Sequence, residues 1–232
     1  MEQTLEFFRG PMFALTFGIM VCGLLRHVVI QVYCLANGIG RRLGNAPWHK
    51  ILAETATWAF PFPHFIKGTV LFSSASFVFH IGLIIVPLFL ADHVVLWEGV
   101  LQAELPAIGK GLADFLTLTT LACLLILLGC RLFVSRHRAV SRPIDYILLL
   151  LIMMPFTTGF LASHPALNPL RWDVVLLVHI LSAELLFVMI PFTKLAHVVL
   201  FVFDRISPVH WQLRPGAGDK VAQALFGSEA RV

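Results

Sequence analysis

Residues 174–203 read VVLLVHILSAELLFVMIPFTKLAHVVLFVF, and two histidines, His179 and His197, stand inside this apolar run. About 20 apolar residues suffice to cross a bilayer core, so the run predicts a transmembrane helix. The histidines are 18 positions apart, which at about 100° per residue is five whole turns and sets both on one helix face. At about 1.5 Å of rise per residue they stand about 27 Å apart along the axis, close to the thickness of the hydrocarbon core. One ring is therefore expected near each leaflet. Ionisable groups in hydrocarbon are costly and mark ligand or proton sites. Two imidazoles in this relation suit two haems, one per leaflet, each held by one imidazole from this helix and one from a facing helix.

The rest of the chain has the same character. Hydrophobic residues make up 58% and charged residues 13%, against about 45–50% and about 25% in soluble domains, and the mean hydropathy is +0.86. Further apolar runs lie near 11–34, 69–92, 113–134 and 144–163. The expectation is an all-α integral membrane bundle of five transmembrane helices, a single domain over 1–232 with no room for a soluble catalytic module. Glu2, Glu6 and Arg9 precede the first run, which continues past signal-peptide length, so this helix is expected to be retained. Lys and Arg gather on the cytoplasmic side of membrane proteins. In a five-span reading 14 of the 17 fall on one side, and Arg9, Lys110 and Arg171 on the other. This predicts an outer N-terminus and a cytoplasmic tail over 204–232, in a bacterial or archaeal cytoplasmic membrane. The net charge of +4 is then a topology signal and implies no nucleic-acid partner. The segment 36–68 reads as a cytoplasmic loop with a short interfacial helix. Cys22, Cys34, Cys123 and Cys130 lie in apolar stretches without cluster spacing and read as packing residues.

His80 lies in the second run, on a different helix from His179 and His197. The ordinary alternative for any one of them is a buried histidine bonded to a neighbouring helix. His49, His64, His137 and His210 fall on cytoplasmic segments and are expected at the surface. His27 adjoins Arg26 near the inner end of the first span; the pair either approaches a haem propionate or snorkels to the interface.

HILSAELLFVMIPFTKLAH (residues 179–197), FHIG (79–82) and LPAIGK (105–110) resemble the gamma, cytochrome b subunit of respiratory nitrate reductase and its relatives in sulfur-metabolism and heterodisulfide-reductase-linked membrane complexes. LLRHV around Arg26 is a weaker echo. The resemblance covers essentially the whole chain. It implies two haem b groups, with His80 and His197 as axial ligands of the inner one and His179 as a ligand of the outer one. The family's remaining outer ligand falls on Leu90, which cannot bind iron. His93, three residues on and beyond Pro87, is one substitute and His164 another, and a single-haem protein is the third possibility. Lys110 matches a position near the family's quinol site, where a cation would bond a quinol oxygen; the competing reading is a lysine snorkelling to headgroups.

The implied function is an electron-transfer subunit of a quinol-linked oxidoreductase, not a complete enzyme alone. It would oxidise menaquinol or ubiquinol near the outer face and pass electrons to a cytoplasmic iron–sulfur subunit. Quinone reduction uses the same parts in reverse. The rival expectation is a haem-free membrane anchor, or a proton-relay or transport subunit. Its discriminating feature would be carboxylates within the spans, and Glu184 is the one clear instance.

Overall fold

The computed structural model describes residues 2–39, 48–59 and 70–203, with the isolated positions 223 and 229. The expected tail over 204–232, with His210, and the loop positions His64, Arg41, Arg42 and Lys67 lie outside the described residues, 223 and 229 excepted. The described chain is helical, and five of its helices are long and apolar enough to cross a membrane. This is a multi-pass membrane protein. The elements are α1 (Glu2–Phe7), a π-turn at Phe8–Met12, α2 (Phe13–Ile39), α3 (Trp48–Ala59), α4 (Val70–Phe89), α5 (Ala91–Leu101), α6 (Lys110–Phe133), α7 (Ser135–Ala139), α8 (Pro143–Ser163) and α9 (Trp172–Met189). A short apolar helix, α10 (Lys194–Phe203), follows.

The chain comprises two compact units. The first comprises Met1–Phe13 and Phe62–Leu186, the second Ala14–Pro61 and Phe187–Val232. In the first, α4 and α6 pack most extensively, and α6 then packs on α8. Hydrophobic burial does not drive helices together in lipid, so close backbone approach through small residues must. Ala75, Phe79, Gly82 and Val86 of α4 are buried at helical spacing, as are Thr117, Thr120, Leu124 and Leu127 of α6. At Gly82 a Cβ would collide with Thr120 Oγ1 and stand 3.2 Å from the Leu116 carbonyl. The Thr120 hydroxyl donates to that same carbonyl at 2.7 Å. The outer apolar side chains, such as Leu71, Ile84, Leu118 and Leu125, stay exposed, as a lipid-facing surface requires.

The second expected span, 69–92, stops short. Pro87 has no N–H to continue the α-helical ladder, α4 ends at Phe89, and Leu90 is extended (φ −63°, ψ 132°) before α5 begins. The 102–109 loop docks on this break, Ile108 N–H donating to the Phe89 carbonyl at 2.8 Å. His93, which the sequence reading set beyond Pro87, therefore stands on a separate helix, α5.

The fifth expected span, 174–203, is also broken. α9 ends at Met189, a 3-10 turn covers Ile190–Phe192, and Thr193 is extended. Pro191 removes a donor here, and Thr193 serves both flanks: its hydroxyl donates to the Met189 carbonyl at 2.8 Å and accepts from Leu195 N–H at 3.3 Å. His27 Nε2 donates to the Pro191 carbonyl at 2.7 Å, and Gly23 leaves room for the Pro191 ring. His179 and His197 thus do not ride one unbroken helix, and the five-turn argument for a shared face fails.

The Gly82 contact predicts that Gly82→Leu, which overpacks the α4–α6 seam, lowers stability by about 1–3 kcal/mol. Gly129→Ala, at a position with open space around it, should leave the thermal unfolding midpoint in detergent unchanged.

Candidate functional site: facing histidines of α5 and α9

α9 presents His179 to α8. The Pro155 carbonyl lies 2.9 Å from His179 Nδ1. A carbonyl only accepts, so Nδ1 carries the proton and Nε2 keeps its lone pair. This is the arrangement that fixes the tautomer of metal-binding histidines. One turn along α8 from Pro155, Gly159 forms the seat: a Cβ there would lie 2.9 Å from His179 Cε1 and 3.0 Å from Nδ1. Only glycine lets the ring rest against the helix.

The break at Leu90 turns His93 toward the same ring. The His93 and His179 imidazoles lie 5.9 Å apart between centroids, with planes inclined by 8°. That distance falls within the range of offset aromatic pairs. It also approaches the roughly 6.3 Å expected of two imidazoles on opposite sides of one metal ion, from metal–nitrogen bonds of about 2.0–2.1 Å and the size of the ring. His93 Nδ1 is buried without a hydrogen-bond partner. The Val86 and Pro87 carbonyls beside it already accept, from Leu90 N–H at 3.1 Å and Trp97 Nε1–H at 2.9 Å. Burial holds His93 below the usual histidine range, against the opposing pull of the Val86 carbonyl and Asp92. Burial thus disfavours the imidazolium, and the neutral imidazole is the form that binds metals. The buried orphan nitrogen, the glycine seat and the near-parallel rings are an arrangement in which two imidazoles could hold a metal-containing cofactor.

His80 and His197 repeat the carbonyl anchor. His80 Nδ1 donates to the Ser76 carbonyl at 2.6 Å, and His197 Nδ1 to the Lys194 carbonyl at 2.7 Å. His80 belongs to the first unit and His197 to the second. His164, the alternative outer ligand, is committed elsewhere: Nδ1 meets the Phe160 carbonyl at 2.9 Å, and Nε2 lies 3.3 Å from Asp114 Oδ2. Lys110 opens α6, and its Nζ donates to the Ser163 carbonyl at 3.3 Å, at the end of α8. It shares that corner with the Asp114–His164 pair. Arg26 is exposed, with no polar partner among the described residues, while His27 is committed to Pro191. His137, expected at the surface, is half-buried and stacked on Phe72.

Glu184 is 3% exposed on α9, and neither carboxylate oxygen has a hydrogen-bond partner among the described residues. Also among the described residues, no group of three or more His, Cys, Asp or Glu is placed to hold a metal ion. Sequence reasoning missed Pro155, Gly159 and Thr193. A glycine inside an apolar span was the available signal, since it marks close approach by another group.

No protein-family model matches the chain, and no solved structure matches it. It is 34% identical over 208 residues to a protein of Nitratidesulfovibrio vulgaris (strain Hildenborough), a match spanning 86% of this chain and 89% of the relative. At that identity and coverage, the chain belongs to the same family as this Nitratidesulfovibrio vulgaris protein.

Proposed function

We propose that this chain is a di-haem cytochrome b subunit of a respiratory complex, akin to the nitrate reductase gamma subunit. It would sit in a bacterial or archaeal cytoplasmic membrane with its N-terminus outside and its C-terminus in the cytoplasm. There it oxidises quinol near the outer face and delivers electrons to a cytoplasmic iron–sulfur subunit. The observation that carries the reading is the facing pair, His93 and His179, at 5.9 Å with near-parallel planes. The His179 anchor on Pro155 and its glycine seat support it. The resemblance assigns His80 and His197 to the second group, and each, within its own unit, has Nδ1 anchored on a carbonyl.

When bound, haem b supplies a one-electron iron couple at each site. The chain's own residues set the conditions. The carbonyls of Pro155, Ser76 and Lys194 hold the imidazoles in the Nδ1–H tautomer and raise the basicity of Nε2. Lys110 Nζ, at the corner of α6 and α8, bonds a quinol oxygen and favours the anion as its proton leaves. Asp114 and His164 in the same corner offer polar groups toward which that proton can move. Moving electrons inward against a negative-inside potential works against about 2.3 kcal/mol per charge per 100 mV, so the topology conserves energy. The buried carboxyl of Glu184 favours a second reading, a haem-free proton-relay subunit.

A pyridine haemochrome count on the purified chain is expected to give two haems b; none would leave the proton-relay reading. His93→Ala should lose one haem and His164→Ala neither, and the reverse pattern would exchange their roles. Gly159→Val, which drives a side chain into the His179 ring, should remove or spectrally shift the same haem that His93→Ala removes. Lys110→Ala should lower kcat/KM for quinol about tenfold or more, the worth of a charge-assisted hydrogen bond. Unchanged quinol oxidation and inhibitor binding would return Lys110 to the interface.

A further inference from the structure

At the far end of α6 from Lys110, Arg131 lies in the last helical turn. Its Nη1 donates to Ser141 Oγ at 2.9 Å, and that hydroxyl donates to the His137 carbonyl at 2.7 Å. The guanidinium carbon stands 5.7 Å from the centre of the Phe72 ring. Phe72 in turn stacks on His137, centroids 4.2 Å apart and planes at 15°. Arg131 is thus held in place by two groups, Ser141 and Phe72, neither of which is an anion. Its Nε is buried with no acceptor. With Nη1 given to Ser141, the edge formed by Nε and Nη2 has no acceptor among the described residues. That edge is one that pairs bidentately with phosphate or carboxylate oxygens. A guanidinium withdrawn from water without a counter-charge is costly.

The surroundings add positive charge. Arg136 and Arg138 lie on α7, and Arg142 precedes α8. The carboxylate on this stretch, Asp145, accepts from Arg142 N–H at 2.8 Å. Burial, then Arg136 and Arg131, push His137 below the ordinary histidine range. Next to these cations the apolar side chains are bare: Leu132 is 44% exposed, Phe133 83% and Val140 75%. A cationic fork beside uncovered apolar side chains, at the end of a membrane-spanning helix, matches a molecule with an anionic head and hydrocarbon tails.

We propose that Arg131, braced by Ser141 and Phe72, binds the phosphate of an anionic phospholipid whose acyl chains lie along Leu132 and Phe133. The chemistry shared with free phosphate is the oxyanion, and the apolar side chains assign the source to lipid. They continue the surface of a span, where hydrocarbon and not a soluble partner is the neighbour. Basic pockets at the cytoplasmic ends of helices are where such headgroups lodge.

The test is native mass spectrometry of the full chain, with any subunits that accompany it, titrated with phosphatidylglycerol, phosphatidylcholine or inorganic phosphate. Phosphatidylglycerol should bind at least tenfold tighter than the other two. Arg131→Gln should weaken it at least tenfold, and Arg131→Lys, which keeps the charge without the fork, severalfold. Should the glutamine variant fail to fold, the lysine variant decides. Wild-type-like binding by these variants overturns the site. Equal binding of inorganic phosphate makes it a free-phosphate site, and loss of phosphatidylglycerol on attachment of partner subunits makes it a protein-docking face; either overturns the lipid assignment. The readout is lipid mass and is independent of haem content, so it stands or falls apart from the cytochrome reading.

Discussion

A backbone carbonyl turned toward a side chain in a membrane-spanning segment must find a donor, because lipid offers none and each orphaned group costs several kcal/mol. In this chain histidine repeatedly adds a donor to a backbone carbonyl: His27 to Pro191, His80 to Ser76, His164 to Phe160, His179 to Pro155 and His197 to Lys194. Two of the five carbonyls belong to prolines, Pro155 inside α8 and Pro191 in the turn that follows α9. Each bond satisfies an oxygen and fixes a tautomer at once. At His179 the bond sets the proton on Nδ1 and leaves the lone pair on Nε2, the tautomer in which an imidazole can accept a hydrogen bond or bind a metal.

Proline also decides where the chain departs from simple spans. Pro87 and the extended Leu90 end α4 early and send His93 onto a helix of its own, closed by the 102–109 loop. Pro191 and the extended Thr193 end α9 and begin a separate helix. In both places one side chain restores the ladder: Trp97 bonds the Pro87 carbonyl, and Thr193 bonds on either side of the break. Trp97 is accordingly buried, unlike the half-exposed Trp172.

The number and rough extent of the spans were legible because apolar length is a one-dimensional property of the chain. α6 and α8 coincide with expected runs to within a few residues. The approach of His93 to His179 was legible only as a candidacy, since periodicity carried through Leu90 assumes a helix that the structure interrupts there. The shared face of His179 and His197 failed for the same reason: Pro191 was readable in the sequence, but how Thr193 would resolve the break was not. The glycine seat depends on two helices meeting at one register, which no single stretch encodes.

Gly159 carries a consequence for descent. Because a Cβ at that position would meet the His179 ring at 2.9 Å, the two positions are not free to drift separately. A lineage that keeps the imidazole must keep the glycine, and one that loses the imidazole releases the glycine to any small apolar residue. The bare backbone at 159 is thus an inherited imprint of the ring it receives, and the two should appear and disappear together among this protein's relatives.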